Sequence, residues 1–309
     1  MSENDLDSPG LWDDPLFERF QTPVNSPVAP HQLTLDDEIQ FRCHKGIACF
    51  NACCSNIDIT LTPWDIRCMA RRLDLKTWQV MLKYTMPFEM DAHGLPGVKL
   101  RPVEKGTACQ FMVEEGCSIY EDRPTACRYY ALGIMELRRK DSSTLEDVYF
   151  MVKEEHCLGH QEERRLTVRE YRQEQGVEAY DDLNRGWMDL VVKKKSAGPA
   201  VGAPSERSLQ LFSMLYDLDA FRLFTQSEGF NRLFDIDPQT RKAIDEDDAE
   251  LLRFGVRFLR QTLFGEKSIP MREEAVRERY EQRKEVIEQK ARELAEKYEL
   301  RDPQEEGEA

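Results

Sequence analysis

The stretch CHKGIACFNACC, Cys43–Cys54, places four of the chain's nine cysteines within twelve residues. The other five also precede residue 158, and the rest of the 309-residue chain has none; they are Cys68, Cys109, Cys117, Cys127 and Cys157. Clustered thiols favour metal ligation over disulfides, which need an oxidising compartment. Packing as small apolar side chains is the alternative, but it does not explain the clustering.

The adjacent pair Cys53 and Cys54 bears on how many metal centres there are. Neighbouring side chains of an extended backbone point to opposite sides, so the pair is predicted to face different metal atoms. Two centres, or one multi-iron cluster with an unusual loop, would both satisfy this. Cys68 lies in a predicted helix and is interpreted as a packed thiol. Eight cysteines then remain, twice the four that complete a zinc site or an iron–sulfur cluster.

Standard cysteine motifs do not match. The motif of a radical-generating SAM centre is CxxxC followed, after two further residues, by a third cysteine. Cys49 and Cys53 form CxxxC, but the third position, 56, is Asn. Neither two short CxxC knuckles nor the ferredoxin run CxxCxxC is present. Glycine-rich nucleotide loops are also absent from the sequence. The spacing alone therefore does not assign each thiol to a centre.

Composition limits the partners and the location. The chain is 40% hydrophobic and 33% charged, with a net charge of −15 and a pI near 5.0. Free nucleic acid is excluded as a general partner, because binding it requires neutralising phosphates with Lys and Arg. No run approaches the ~18 apolar residues of a membrane span. The acidic N-terminus lacks the apolar region of a secretory signal, which predicts a cytoplasmic protein.

Local signals predict a mainly α fold class: a cysteine-rich metal-binding domain with a small β-hairpin, then a helical region and a long charged C-terminal helix. In LTPWDI, Thr62 suits an N-cap and Pro63 the first helical turn. CQFMVEEGCSIY predicts a hairpin, with strands over 111–113 and 118–120. The sequence TVREYRQEQG has a Thr cap and a Gly stop.

The predicted organisation has seven segments. They are an irregular arm (1–33), a cysteine-cluster metal-binding domain (34–160), a helical extension (161–196), a linker (197–204), a helical region (205–265), a long charged helix (266–300) and an acidic tail (301–309). The long helix carries a narrow apolar stripe that includes Val276 and Tyr280. It is expected either to pack on its own domain or to pair with a protein partner of unknown identity.

Some polar residues could assist the metal. Arg123 and Arg128 flank Cys127 and would either offset thiolate charge or pair with surface carboxylates. Four histidines could replace a sulfur ligand, with His156 the best placed beside Cys157; the others are His44, His93 and His160. A histidine beside a cysteine is more often a neighbour of the ligands than a ligand.

The segments CFNACC, LTPWDI, CQFMVEEGCSIYEDRPTACRYY and HCLGH resemble the YkgJ-like cysteine-cluster family, whose domain is described as zinc- or iron-chelating. The resemblance covers about residues 38 to 160. The ligands that it implies are Cys43, Cys49, Cys53, Cys54, Cys109, Cys117, Cys127 and Cys157. Some relatives are labelled flagellin N-methylases, so methyl transfer to protein lysine is one implied activity.

Three function classes follow from this sequence. The first is an iron–sulfur protein with a redox or metal-dependent role, holding one or two centres. Iron as [4Fe–4S] is the favoured cofactor and Zn²⁺ the alternative, because sulfur-only ligands suit both. The second is a protein lysine methyltransferase. The third is a structural zinc module with partner-binding helices.

Overall fold

The computed structural model describes residues 31–91, 94–138, 145–196 and 205–299. Most of the predicted arm, the linker 197–204, the tail 301–309 and His93 lie outside these residues. The chain divides into two compact units, which meet in sequence at Asp219 and Ala220. No helix in the described part of the chain is long and apolar enough to cross a membrane.

The described residues are mainly helical, as predicted, with eleven α-helices. Those of the first unit are α1 (Pro63–Leu73), α2 (Thr77–Tyr84), α3 (Thr125–Tyr129), α4 (Val168–Gln175), α5 (Glu178–Ser196) and α6 (Glu206–Met214). Helix α7 (Leu218–Gln226) begins at the end of this unit. The remainder are α8 (Glu228–Leu233), α9 (Pro238–Glu246), α10 (Asp248–Phe264) and α11 (Glu273–Glu299).

Nine short strands form four small antiparallel sheets within the described residues, where the sequence predicted a single hairpin. The strands are β1 (Glu38–Gln40), β2 (Thr60–Leu61), β3 (Thr85–Glu89), β4 (Pro96–Leu100), β5 (Met112–Val113), β6 (Gly116–Cys117), β7 (Leu132–Arg138), β8 (Leu145–Met151) and β9 (Arg165–Thr167). The sheets pair β1 with β9, β5 with β6 and β7 with β8, and order the other three as β2-β4-β3.

The β5–β6 hairpin is tighter than predicted. Met112 pairs with Cys117 and Val113 with Gly116, so a two-residue turn closes the hairpin. Gly116 adopts a φ of 128°, which favours glycine. The second strand is Gly116–Cys117 rather than the predicted 118–120, although the Ser118 N–H still donates to the Phe111 carbonyl at 2.9 Å.

Helix α1 begins where its sequence predicts. The Thr62 side chain accepts a hydrogen bond from the Asp65 N–H at 3.1 Å, and Asp65 accepts one from the Thr62 N–H at 2.9 Å. This reciprocal pair satisfies two backbone donors that the first turn leaves without partners. The buried face of the helix carries Ile66 and Met69. Helix α4 begins in the same way at Thr167 and ends at Gly176, with a φ of 61°.

The core of the first unit has two parts. Strands β7 and β8 pack with Phe41 and Tyr171 into one apolar cluster, against which Cys157 lies half-buried. Farther along the chain, the Trp187 ring of α5 lies 4.4 Å from the Phe212 ring and 5.0 Å from the Tyr216 ring. Residues that follow the predicted linker thus complete the first unit.

The second unit has an aromatic core. The Phe258 ring of α10 lies 5.5 Å from that of Phe224 and 5.7 Å from that of Phe234. In α11, two residues of the predicted apolar stripe are exposed, Val276 by 40% and Tyr280 by 50%.

Candidate metal centre

Eight of the nine cysteines line one cavity of about 910 Å³. They are Cys43, Cys49, Cys53, Cys54, Cys109, Cys117, Cys127 and Cys157. These are the eight residues predicted as ligands, brought together from across 115 positions of sequence. Cys68 lies instead in the buried face of α1, 1% exposed, where it meets Tyr180. Its interpretation as a packed thiol agrees with this placement.

The segment that carries the first four cysteines is a series of turns. The N–H groups of Ile47, Phe50 and Ala52 each donate to the carbonyl three residues earlier, at 2.9–3.1 Å. Asn51 adopts a left-handed φ of 66°, which Asn tolerates better than most residues. Its side-chain amide donates to the Val113 carbonyl at 2.9 Å, which anchors the turns to the β5–β6 hairpin.

The adjacent pair does not have the extended backbone assumed from the sequence. Ala52–Cys54 is a turn of 3₁₀ helix, and the Sγ atoms of Cys53 and Cys54 lie 3.9 Å apart. Successive side chains of a 3₁₀ turn are separated by about 120° rather than lying on opposite sides. The premise of opposed side chains was therefore wrong, and both thiols face the same cavity.

The C-terminal end of the cysteine region meets the first turns of Cys43–Cys54. The Arg42 N–H donates to the Gly159 carbonyl at 3.1 Å, and the Leu158 N–H donates to Cys49 Sγ at 3.2 Å. A Cβ atom at Gly159 would stand 2.7 Å from the Phe41 ring, so this close approach requires glycine. The segments that carry Cys43, Cys49 and Cys157 consequently lie next to one another.

A second group of thiols is built on Cys54. Its carbonyl accepts the Cys109 N–H at 2.8 Å, and the Phe111 N–H donates to Cys109 Sγ at 3.4 Å. The β5–β6 hairpin follows Cys109 and presents Cys117 from its second strand. This short hairpin brings two thiols eight positions apart into one wall.

Asp65 positions the helix that carries Cys127. Its carboxylate is completely buried and accepts from the Thr125 N–H at 2.8 Å and from the Thr125 hydroxyl at 2.6 Å. One carboxylate thus caps α1 through Thr62 and α3 through Thr125. The sequence predicts only the N-cap at Thr62, because no local pattern indicates that Asp65 binds a residue 60 positions away.

The two arginines have different roles. Arg128 is buried and donates to the carbonyls of Arg123 at 3.1 Å and Gln175 at 2.8 Å, and also to that of Glu121. It therefore neither lines the cavity nor pairs with a surface carboxylate. Arg123 does line the cavity, where its charge acts on the thiols of Cys117 and Cys127. Its guanidinium is held by the Gln175 side chain at 2.7 Å.

Two of the candidate histidines line the cavity, and each has a carboxylate neighbour. His44 Nε2 lies 3.2 Å from Glu162, and His156 Nε2 lies 3.6 Å from Glu154. His160 faces the Val152 carbonyl at 3.0 Å instead, and burial lowers its pKa. His44 and His156 therefore line the same cavity as the thiols, and each imidazole has a carboxylate beside it.

The thiols that line the cavity differ in pKa. Burial raises the pKa of Cys43 to about 11, with further contributions from Cys53, Cys49 and Cys157. Burial also raises the pKa of Cys127, and the neighbouring thiol of Cys109 adds to this. The hydrogen bond within the adjacent pair lowers the pKa of Cys53 to about 7 and raises that of Cys54. Most of these thiols therefore need a cation to become thiolates at neutral pH.

The donor set fits a metal group that several sulfurs share. Thiolates are the ligands of structural zinc and of iron–sulfur clusters, and all eight thiols face one space. Among the described residues, no three His, Cys, Asp or Glu side chains converge tightly enough to enclose a single ion.

We expect Cys53 to react first when the metal-free, reduced protein meets limiting iodoacetamide. Its thiolate forms near pH 7, whereas Cys43, also exposed, has a pKa of about 11 and serves as the matched control. At pH 7.5 Cys53 should be alkylated at least ten times faster, as read by tandem mass spectrometry. Cys54→Ala should shift the pH midpoint of this reaction upward, because the S–H donor is lost. Equal labelling of Cys43 and Cys53 would contradict the assignment.

The cysteine region matches a family model. Residues 42–158 match the family model CxxCxxCC, described as "Putative zinc- or iron-chelating domain". The matched segment begins one residue before Cys43 and ends one residue after Cys157, so it contains all eight cavity cysteines. No curated protein and no solved structure matches the chain.

Proposed function

Because residues 42–158 belong to the CxxCxxCC family of cysteine-cluster domains, we propose that this protein is an iron–sulfur protein with a redox role. The eight cavity cysteines would bind the iron as [4Fe–4S]. The observation that carries the proposal is the convergence of these eight thiols, and not of Cys68, on one cavity. A bound cluster would supply one-electron transfer. The proposal takes the reducing cytoplasm, expected from the sequence, as the location.

The size of the cavity favours a cluster over a single ion. Its volume of about 910 Å³ lies in the range of sites that hold a whole cofactor. A single tetrahedral zinc binds four sulfurs at about 2.3 Å, which would leave the other four thiols without a metal. Eight thiols suit two centres of four ligands each.

The backbone supplies donors to sulfur. Leu158 N–H points at Cys49 Sγ and Phe111 N–H at Cys109 Sγ, at 3.2 and 3.4 Å. Such bonds stabilise thiolates and raise the reduction potential of a cluster. The positive charge of Arg123 beside Cys117 acts in the same direction. These features support a site that holds concentrated negative charge.

One observation favours a structural zinc module as the second candidate. The 3.9 Å between Cys53 Sγ and Cys54 Sγ is close to the separation of about 3.8 Å between two thiolates of a tetrahedral zinc. Such a module would be redox-silent, with its helices binding a protein partner. The exposed Val276 and Tyr280 on α11 support this partner role. Lysine methylation, which the family resemblance also implies, has no further support among the described residues.

Anaerobic purification of the full-length protein tests the proposal. We expect a brown protein with broad absorption near about 400 nm, from sulfur-to-iron charge transfer, that bleaches on reduction with dithionite. Iron and acid-labile sulfide should be present in equal amounts, at about four per chain for each cluster. Cys68→Ala is the matched control and should retain the full spectrum, because this thiol packs within α1.

Two results would contradict the iron proposal. Stoichiometric zinc without iron or sulfide in such a preparation would leave the zinc module as the function. Loss of the chromophore in Cys68→Ala, with helical content unchanged by circular dichroism, would show that the ligands are not those of the cavity.

A further inference from the structure

We infer that the eight cysteines form two sets of four that adjoin at Cys53–Cys54 and hold two separate metal centres. The rim set is Cys43, Cys49, Cys53 and Cys157, and the deep set is Cys54, Cys109, Cys117 and Cys127. This inference rests on the proposed function, because it assigns ligands within the same cavity. A single zinc bound by both Cys53 and Cys54 would contradict it.

Three members of the rim set are joined by the chain around Cys157. The Leu158 N–H binds Cys49 Sγ at 3.2 Å, which places Cys49 next to the residue that follows Cys157. The Arg42 N–H donates to the Gly159 carbonyl at 3.1 Å, which places Cys43, the residue after Arg42, near Cys157 as well.

Cys53 joins the rim set through Glu154. The Glu154 carbonyl accepts the Cys157 N–H at 2.9 Å, and its carboxylate is one of the charges that act on the Cys53 thiol. The charges of Cys53, Cys49 and Cys157 act on the Cys43 thiol. Cys53 also acts on Cys109, Cys117 and Cys127, so it lies where the two sets adjoin. Its exposure, which it shares with Cys43, assigns it to the rim set.

The deep set is joined through Cys109. The Cys54 carbonyl accepts a hydrogen bond from the Cys109 N–H at 2.8 Å, so these two residues are neighbours. The β5–β6 hairpin then carries Cys117 back beside Cys109. Among the thiols that act on Cys127, Cys109 has the largest effect, and Cys117 follows. Asp65 fixes this approach through the N-terminus of α3.

The two sets differ in access to solvent. Cys43 and Cys53 of the rim set are exposed, whereas the deep set has no exposed cysteine and its Cys109 is buried. A chelator or oxidant meets the rim thiols first. The metal of the rim centre should therefore leave before that of the deep centre.

Alanine variants of the full-length protein, purified anaerobically, test the partition. A rim double variant (Cys43→Ala with Cys157→Ala) and a deep double variant (Cys109→Ala with Cys127→Ala) should each keep about half of the wild-type metal. A mixed double variant (Cys43→Ala with Cys109→Ala) should lose nearly all of it. Complete loss in both the rim and deep variants, with folding intact by circular dichroism, would mean one shared centre and would overturn the inference.

A second measurement needs no variant and covers the case in which a double variant fails to fold. Wild-type protein is treated with a chelator, and the freed thiols are alkylated over time and mapped by mass spectrometry. We expect metal release in two phases, with the rim cysteines labelled in the first phase and the deep cysteines in the second. Simultaneous labelling of both sets would overturn the partition. Wild-type protein without metal would instead contradict the proposed function.

Discussion

Asp65→Ala is expected to lower the free energy of unfolding of the first unit by about 2–5 kcal/mol. The buried carboxylate accepts the backbone N–H groups of Thr62 and Thr125, at 2.9 and 2.8 Å. Alanine would leave both part-buried donors without this partner, and each such group costs about 1–3 kcal/mol when buried. Because Thr125 begins the helix of Cys127, bound metal should also fall.

The matched control for this variant is Asp58→Ala. The Asp58 side chain is 74% exposed and pairs with Lys99, so its removal should cost less than about 1 kcal/mol. Asp65→Asn should fall between the two variants, since one oxygen remains to accept. Urea unfolding of the metal-free protein, followed by circular dichroism, gives the comparison. Equal midpoints for Asp65→Ala and Asp58→Ala would show that the carboxylate is not needed to join the two helices.

Arg128→Lys is expected to destabilise the first unit by about 2–4 kcal/mol despite the retained charge. The planar guanidinium of Arg128 donates hydrogen bonds to the carbonyls of Glu121, Arg123 and Gln175. It also donates one to the Tyr180 hydroxyl at 3.0 Å. A lysine ammonium concentrates its donors at one point and cannot serve them all. Buried carbonyls would then lose their partners.

Arg71→Lys is the matched control for Arg128→Lys. The Arg71 side chain is 63% exposed and shares Asp122 with Arg72, so the change should alter stability by less than about 0.5 kcal/mol. Arg128→Lys should also weaken metal retention, because its partners hold the chain on both sides of Cys127. If both lysine variants unfold at the same urea concentration, the network around Arg128 adds no net stability.

Several elements could be read from the sequence because their causes are local. Thr62, Pro63 and Asp65 define the start of α1 within four residues. Thr167 marks the start of α4 and Gly176 marks its end. These patterns act through hydrogen bonds between near neighbours in sequence. The helix predicted around Cys68 likewise set this packed thiol apart from the other eight cysteines.

Other elements could not be read because their hydrogen bonds join distant segments. The β7–β8 hairpin went unpredicted, and the backbone of the adjacent cysteines was taken as extended. In the structure the Phe150 ring fills the space where a side chain at Gly133 would stand, a cross-strand contact with no local signature. Which strands pair depends on packing across the core.

The sequence by itself distinguished eight cysteines, as candidate metal ligands, from Cys68. Only the tertiary structure decided which thiols are neighbours. Cys109 meets Cys54 through a backbone bond across 55 positions, and Leu158 meets Cys49 across 109. The physical reason is that spacing constrains only residues within a few positions, whereas a metal site is closed by contacts whose partners the fold selects.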